Sequence, residues 1–229
     1  AFLEINRKDI IKSIFYFSAQ SANTLLPPVS WAYTKPKEFY TYQPEFAKYL
    51  LEQNKIQDLT FNLWVDNTSH TFNPSMMKTA AIIQSSLANI GIKVVLQPFN
   101  GTVSKEELKK VGYDAFLFGW EDKENEPEFF YSSFFGCHKK VLSLGDAWCD
   151  AKYEKIIQKM QLSHDPKIIK RLAKRAEQRI YQTVPIVPIS HAKRILILNH
   201  RVKGLDTSPF KPLSFIGVSI DRTVEQEIL

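Results

Sequence analysis

Long apolar runs are missing from this 229-residue chain: no stretch approaches the eighteen or so consecutive apolar residues that a membrane-spanning helix needs. Cysteine is scarce. The two residues, Cys137 and Cys149, come without any paired CxxC or HxxxH spacing, which argues against a zinc site. A polar, glycine-containing stretch, "HKKVLSLGDAW", separates them. They read either as a disulfide of an oxidising compartment or as two reduced thiols of a cytosolic protein. None of the five histidines lies in HExxH, and GxSxG is absent, so two common hydrolase signatures are lacking. Acidic pairs such as Asp122 and Glu126 crowd onto one loop instead of facing each other across a cleft, which does not suit acid–base work. The expectation is a protein that is not an enzyme, with no catalytic residue, no metal ligand and no cofactor. Internal repeats and low-complexity tracts are also missing. No initiating methionine or signal peptide precedes "AFLEINRKDIIKSIF", which reads as the middle of a structured element, so a mature or excised piece of a chain is expected.

What is present is ordinary globular material: 44% apolar and 24% charged residues, at a length that can bury a sizeable core. The formal charge is +6 and the pI about 9.1, with one dense basic run at residues 167–179. In "DPKIIKRLAKRAEQRIYQ", Ile168 or Ile169, Leu172, Ala176 and Ile180 share one helical face. Lys167, Lys170, Arg171, Lys174 and Arg175 fall largely on the rest. That is the pattern of an amphipathic surface helix; a phosphate-binding stripe for nucleic acid is the competing reading.

Periodicity predicts helices over 7–17 and 44–54, the second with Pro44 in its first turn. It then predicts a strand at 58–65 and a helix opened by Asn73-Pro74 and ended by Gly91. "IKVVLQPF" reads as the next strand, 103–111 as a helix and 113–119 as a third strand. Helices at about 150–162 and 165–183 follow, then strands in "VPIVPIS" and "RILILNH". Residues 199–229 carry proline and glycine with little periodicity and read as a segment needing something else to pack against. Strand, helix, strand, helix, strand argues for an α/β fold with a largely parallel sheet.

Ligands of parallel sheets bind beyond the carboxyl ends of the strands. Two loops leave there: "DNTSHTFNP" after the strand at 58–65, and "WEDKENEP" after the strand at 113–119. They bring Trp64, Asp66, His70, Phe72 and Trp120 toward one rim. With them comes an acidic knot, Glu121, Asp122, Lys123, Glu124, Glu126 and Glu128, whose five acids against one base leave −4. Flat apolar walls beside carboxylates suit an extended, amine-bearing ligand. A phosphate ligand would call for Gly-rich turns and basic groups. A solvated loop with Trp120 tucked into the core is the competing reading.

Several stretches carry a family resemblance that covers nearly the whole chain. They are "INRKDIIKSIF", "LLPPVSWAY", "LTFNLWV" with "FNPSMMKTAAIIQSSLANIGIKV", "YDAFLFGW...EPEFFYSSFFGC", "AWCDAKYEKII", "VKGL" and "FIGVSI". In this order the chain resembles the second lobe of the peptide-binding solute receptors of ABC importers, the dipeptide and oligopeptide family. The Sap-type branch, associated with uptake of antimicrobial peptides, is the nearest in feel. The resemblance implies a periplasmic-binding-protein-like (Venus-flytrap) lobe with a mixed, largely parallel sheet flanked by helices. The first lobe would precede residue 1. Residues 1–191 would form the second, ligand-binding lobe, and residues 192–229 the segment returning toward the missing first lobe. It also implies a monomer in a Gram-negative periplasm, a Cys137–Cys149 disulfide, a peptide ligand and an inner-membrane ABC permease that receives it.

Two departures from the resembled pattern bear on the ligand. Where dipeptide receptors carry an Arg for the ligand carboxylate, this chain has His70. Where the family carries an Asp for the ligand amine, an ungapped comparison gives Lys123, flanked by Asp122 and Glu124. A neutral His70 anchors more weakly than Arg and responds to pH. The expected ligand-binding set is Trp64, His70, Phe72, Trp120, Asp122, Lys123 and Glu124, and the expected cargo a longer, cationic or antimicrobial peptide. Haem held axially by His70, should that residue line the cleft, or nucleic acid are the alternative cargoes.

Overall fold

The computed structural model describes residues 3–36, 40–101, 114–121, 125–137, 148–208 and 210–221. The expected helix at 103–111 and three expected ligand residues, Asp122, Lys123 and Glu124, lie outside the described residues.

Three parallel strands organise the fold. β2 (Thr60–Asp66) is central, with β3 (Lys93–Phe99) on one side and β4 (Ala115–Leu117) on the other. Leu63 pairs with both Leu96 and Ala115, and Val65 with Pro98 and Leu117. Strands of one direction require a crossover, and β2 reaches β3 through α3 (Met76–Ala88). α3 ends as expected, with Gly91 at φ +81, a conformation glycine adopts without penalty. Its start is corrected by one turn feature. Ser75, not Asn73, is the N-cap and accepts from Lys78 N, while Asn73 accepts from Ser75 N and donates to Thr79 Oγ1 at 3.0 Å.

α1 (Arg7–Phe15) and α3 cover one face of the sheet. Ile10, Ile11 and Ile14 meet Ala80, Ile83 and Leu87 over Leu63, Val65, Val94 and Leu117. Asn6 caps α1, as an extended-backbone Asn does at a helix start. A second core lies under α4 (Pro127–Phe135), α5 (Ala151–Gln161) and α6 (Pro166–Thr183), where Tyr131, Phe134, Tyr153, Ile157, Leu172 and Ala176 are buried. Asp150 caps α5 and is also bound by Arg179 of α6 at 2.9 Å, which ties the two helices. That guanidinium's hydrogen bonds hold the Asp150 carboxyl down at about 2. α2 (Pro44–Gln53) is mostly exposed.

Two ionic groups, buried Arg7 and half-buried Glu177, fix long loops. The Arg7 guanidinium donates to Ala22 O at 2.7 Å and to Tyr40 O. Glu177 of α6 accepts from Leu25 N, Leu26 N and the Tyr131 hydroxyl, pinning the start of "LLPPVSWAY". Burial raises the Glu177 pKa against those three donors.

The remaining strands are short. β1 (Ala19–Ser21) and β5 (Ser190–Ala192) pair antiparallel, as do β6 (Val202–Lys203) and β7 (Ser219–Ile220). "RILILNH" is not a strand: residues 193–199 have no regular structure, and Ile197 is 94% exposed. "VPIVPIS" joins a strand only at its last residue, Ser190, because its two prolines lack the N–H a ladder needs.

Candidate functional site

The loops leaving β2 and β4 touch. β2 ends at Asp66, and the chain then folds into a compact turn. Asp66 Oδ1 accepts from Thr68 N at 2.9 Å and from its hydroxyl at 2.8 Å; Asp66 Oδ2 lies 3.0 Å from His70 Nε2. His70 and Asn73 exchange backbone hydrogen bonds at 3.1 Å each way. Burial of Asp66 works against its ionisation, but the Thr68 and His70 hydrogen bonds win and hold its carboxyl below the ordinary range.

The turn presents aromatic surface to the second loop. The His70 ring stacks on Phe72, centroids 4.6 Å apart and planes 10° apart. Phe72 also lies close against Gly119. A Cβ on that glycine would sit 2.1 Å from Phe72 Cδ2, so only glycine fits beneath the ring. One residue on, Trp120 meets Phe134 edge-on at 4.7 Å and keeps 41% of its surface exposed. Phe118 stacks on the same Phe134 at 6.0 Å. The exit of β4 therefore bridges the sheet's core and the helical core, with Trp120 at the boundary.

These side chains open onto a cleft of about 1130 Å³. Phe72, Gly119, Trp120 and Glu121 line it from the two loops; Leu25, Pro27 and the stretch from Val184 to Arg194 line it from the other elements. The walls are mainly apolar, with Asp114 and Glu121 flanking β4 and Lys193, Arg194 and Lys211 on the later segment. Such a hollow can hold an extended chain and offer charge of either sign to its polar groups.

The predicted set divides. Phe72 and Trp120 line the cleft together. His70 does not line it: the ring stands behind Phe72, and its Nε2 is engaged by Asp66 and Thr68. Trp64 is a correction. Side chains alternate along a strand, so Trp64 points away from the face shared by Leu63 and Val65. It is 6% exposed, packs near Phe99 and Phe116, and forms no cleft wall.

His191 is a cleft residue that sequence reasoning passed over. It sits in β5, lines the cleft, and its Nε2 is buried without a hydrogen-bond partner. Burial pushes its pKa down to about 4, against a hydrogen bond to the Thr24 carbonyl. With one ring nitrogen bonded to Thr24, the neutral imidazole keeps Nε2 as an acceptor with no partner. No motif surrounds it, so nothing in the linear pattern marks it. The Cys137–Cys149 disulfide is formed, with Cα atoms 4.8 Å apart, and sits at the end of α4, whose aromatics support Trp120.

Residues 2–141 match the family model of bacterial extracellular solute-binding proteins, family 5. The chain belongs to that family. Among curated relatives, this solute-binding protein is 31% identical over 224 residues to the peptide transport periplasmic protein SapA of Salmonella typhimurium, covering 97% of this chain and 41% of SapA. It thus spans about two-fifths of the length of that relative. Among solved structures it superposes on HbpA2 from Haemophilus parasuis with a TM-score of 0.83 at 25% identity, covering 94% of this chain and 43% of HbpA2. The dipeptide-binding protein of Pseudoalteromonas sp. SM9913, solved with Met-Leu, gives 0.78 at 24% identity and covers 96% and 44% of the two chains; it bears on the fold alone. The α/β periplasmic-binding-protein fold expected from the sequence is thereby shown.

Proposed function

We propose that this chain is the ligand-binding lobe of a periplasmic peptide receptor that delivers its cargo to an inner-membrane ABC permease. The observation that carries the reading is the meeting of two chain-distant loops, Phe72 over Gly119 beside Trp120, at the mouth of an apolar cleft. Residues 1–191 form the lobe, and residues 192–229 return toward a first lobe of the same protein. The exposed Ile195, Ile197, Phe215 and Ile216 support that division, since they need a partner surface. Closure of two lobes over the ligand is the expected working motion, and the receptor is a monomer.

The cargo is a cationic or antimicrobial peptide longer than a dipeptide. Glu121 supports this at the cleft, and Asp122 and Glu124 extend the acidic run beyond it in sequence. His70 acts through Phe72, as a stacked support, and takes no direct part in holding a ligand carboxylate. A disulfide fits an oxidising Gram-negative periplasm.

Native mass spectrometry of the full-length protein, purified from its own periplasm, tests the reading. A retained mass of a basic peptide on a monomer supports it. A retained haem, a nucleic acid fragment, or a small non-peptide solute would replace it.

A further inference from the structure

The helical hairpin of α5 and α6 carries a surface that the cleft does not use. No residue of either helix lines the cleft. On α5, Lys152, Lys155 and Lys159 are exposed; on α6, Lys167, Lys170, Arg171, Lys174 and Arg175 are exposed. In both helices the cations recur at helical spacing on the side away from the buried residues, Tyr153, Ile157 and Met160 in α5 and Ile169, Leu172, Ala173, Ala176 and Ile180 in α6.

The hairpin's three carboxylates offset this charge only in part. Half-buried Glu177 accepts from Leu25 N and Leu26 N, Glu154 accepts from Cys137 N, and the exposed Asp165 caps α6. Asp150, just before the hairpin, is held by Arg179. Eight exposed cations thus face solvent on neighbouring helices. At the tip, in the short turn between the two helices, Leu162 is 83% exposed.

We propose that this ridge docks the receptor on an anionic phospholipid surface, with the cleft left open to solvent. Three features select a bilayer over other anionic partners. Six of the eight cations are lysines, compact charges that suit a fluid array of headgroups and lack the planar fork of arginine. The ridge carries no aromatic side chain among its cations, whereas single-stranded nucleic acid is held by stacking platforms. Leu162 has no use against a phosphate backbone but can enter the apolar boundary of a membrane, adding a second, hydrophobic signal to the electrostatic one. Each basic residue near an anionic leaflet contributes roughly a fivefold gain in partitioning, which salt screens within a Debye length. The proposal rests on the periplasmic reading above for its biological setting, not for its chemistry.

The test is co-sedimentation of the full-length protein with large unilamellar vesicles of phosphatidylcholine alone or with about 30% phosphatidylglycerol, in 50 and 500 mM NaCl. Binding to the anionic vesicles only, lost at high salt, is the expected result. Changing Lys167, Lys170, Arg171, Lys174 and Arg175 together to Gln should weaken it more than about a hundredfold. Peptide affinity should stay unchanged, which separates failure of this proposal from failure of the peptide reading. If that variant does not fold, Leu162→Asp supplies an independent arm and should weaken vesicle binding severalfold. Equal binding to neutral vesicles, no binding at low salt, or ridge-dependent binding to duplex RNA with none to vesicles would overturn the proposal.

Discussion

Replacing Gly119 with alanine sets a methyl carbon 2.1 Å from Phe72 Cδ2 and 2.8 Å from Cγ, far inside contact distance. The ring is not free to yield, because it is stacked on His70, which Asp66 in turn holds. Either Phe72 leaves its place or the two loops separate. Forcing one extra carbon into a packed site costs about 1–3 kcal/mol. Gly119→Ala should therefore lower unfolding stability by that amount in urea titrations of the full-length protein, and weaken ligand affinity at least about tenfold by displacing a cleft wall. A double-mutant cycle makes the reasoning specific. In a Phe72→Ala background the methyl group has room, so Gly119→Ala should then be nearly neutral. Additive losses in the double variant would show that the glycine is needed for another reason, and would refute the loop contact as the cause.

Other outcomes follow from neighbouring features. Asp122→Asn with Glu124→Gln should reduce affinity for cationic peptides about tenfold in calorimetry, and unchanged affinity would remove both residues from the ligand set. Replacing Cys137 and Cys149 by serine opens a loop with a separation of 12 residues and should cost about 3 kcal/mol by chain entropy, read as a lower urea midpoint. His191 gives a pH effect whose sign is fixed. Its folded pKa of about 4 lies below the unfolded value near 6.5, so the unfolded chain binds the proton more readily between them. Stability from this group is complete above about pH 6.5 and is lost as pH falls toward 4, by roughly 3 kcal/mol. His191→Gln should flatten that part of the pH–stability profile; an unchanged profile would place the loss on other groups.

Much of the architecture was legible because the sheet is parallel and half-buried. Alternation in "DLTFNLWV" and the helical repeat from Met76 to Leu87 mark β2 and α3, and the parallel pairing of β2 with β3 and β4 follows from the crossover logic. That same logic placed the two loops on one rim, where Phe72 and Gly119 meet. α4 carries no periodic signal because "PEFFYSSFF" is apolar on nearly every side and has no polar face to set a period. Trp64 is the opposite case: its aromatic character suits a cleft wall, but its parity against Leu63 and Val65 assigns it to the other face of the sheet. "RILILNH" has strand composition, but its apolar side chains are exposed, and composition alone cannot supply a partner strand. His191 and Glu177 were invisible because burial and partnership are tertiary facts.

Hydrogen–deuterium exchange of the full-length receptor, with and without its co-purified ligand, tests the central claim most directly. The account predicts ligand-dependent protection in peptides covering residues 66–74 and 118–121 together, with residues 151–183 unchanged. Protection of only one of the two loops, or of the α5–α6 hairpin instead, would contradict it.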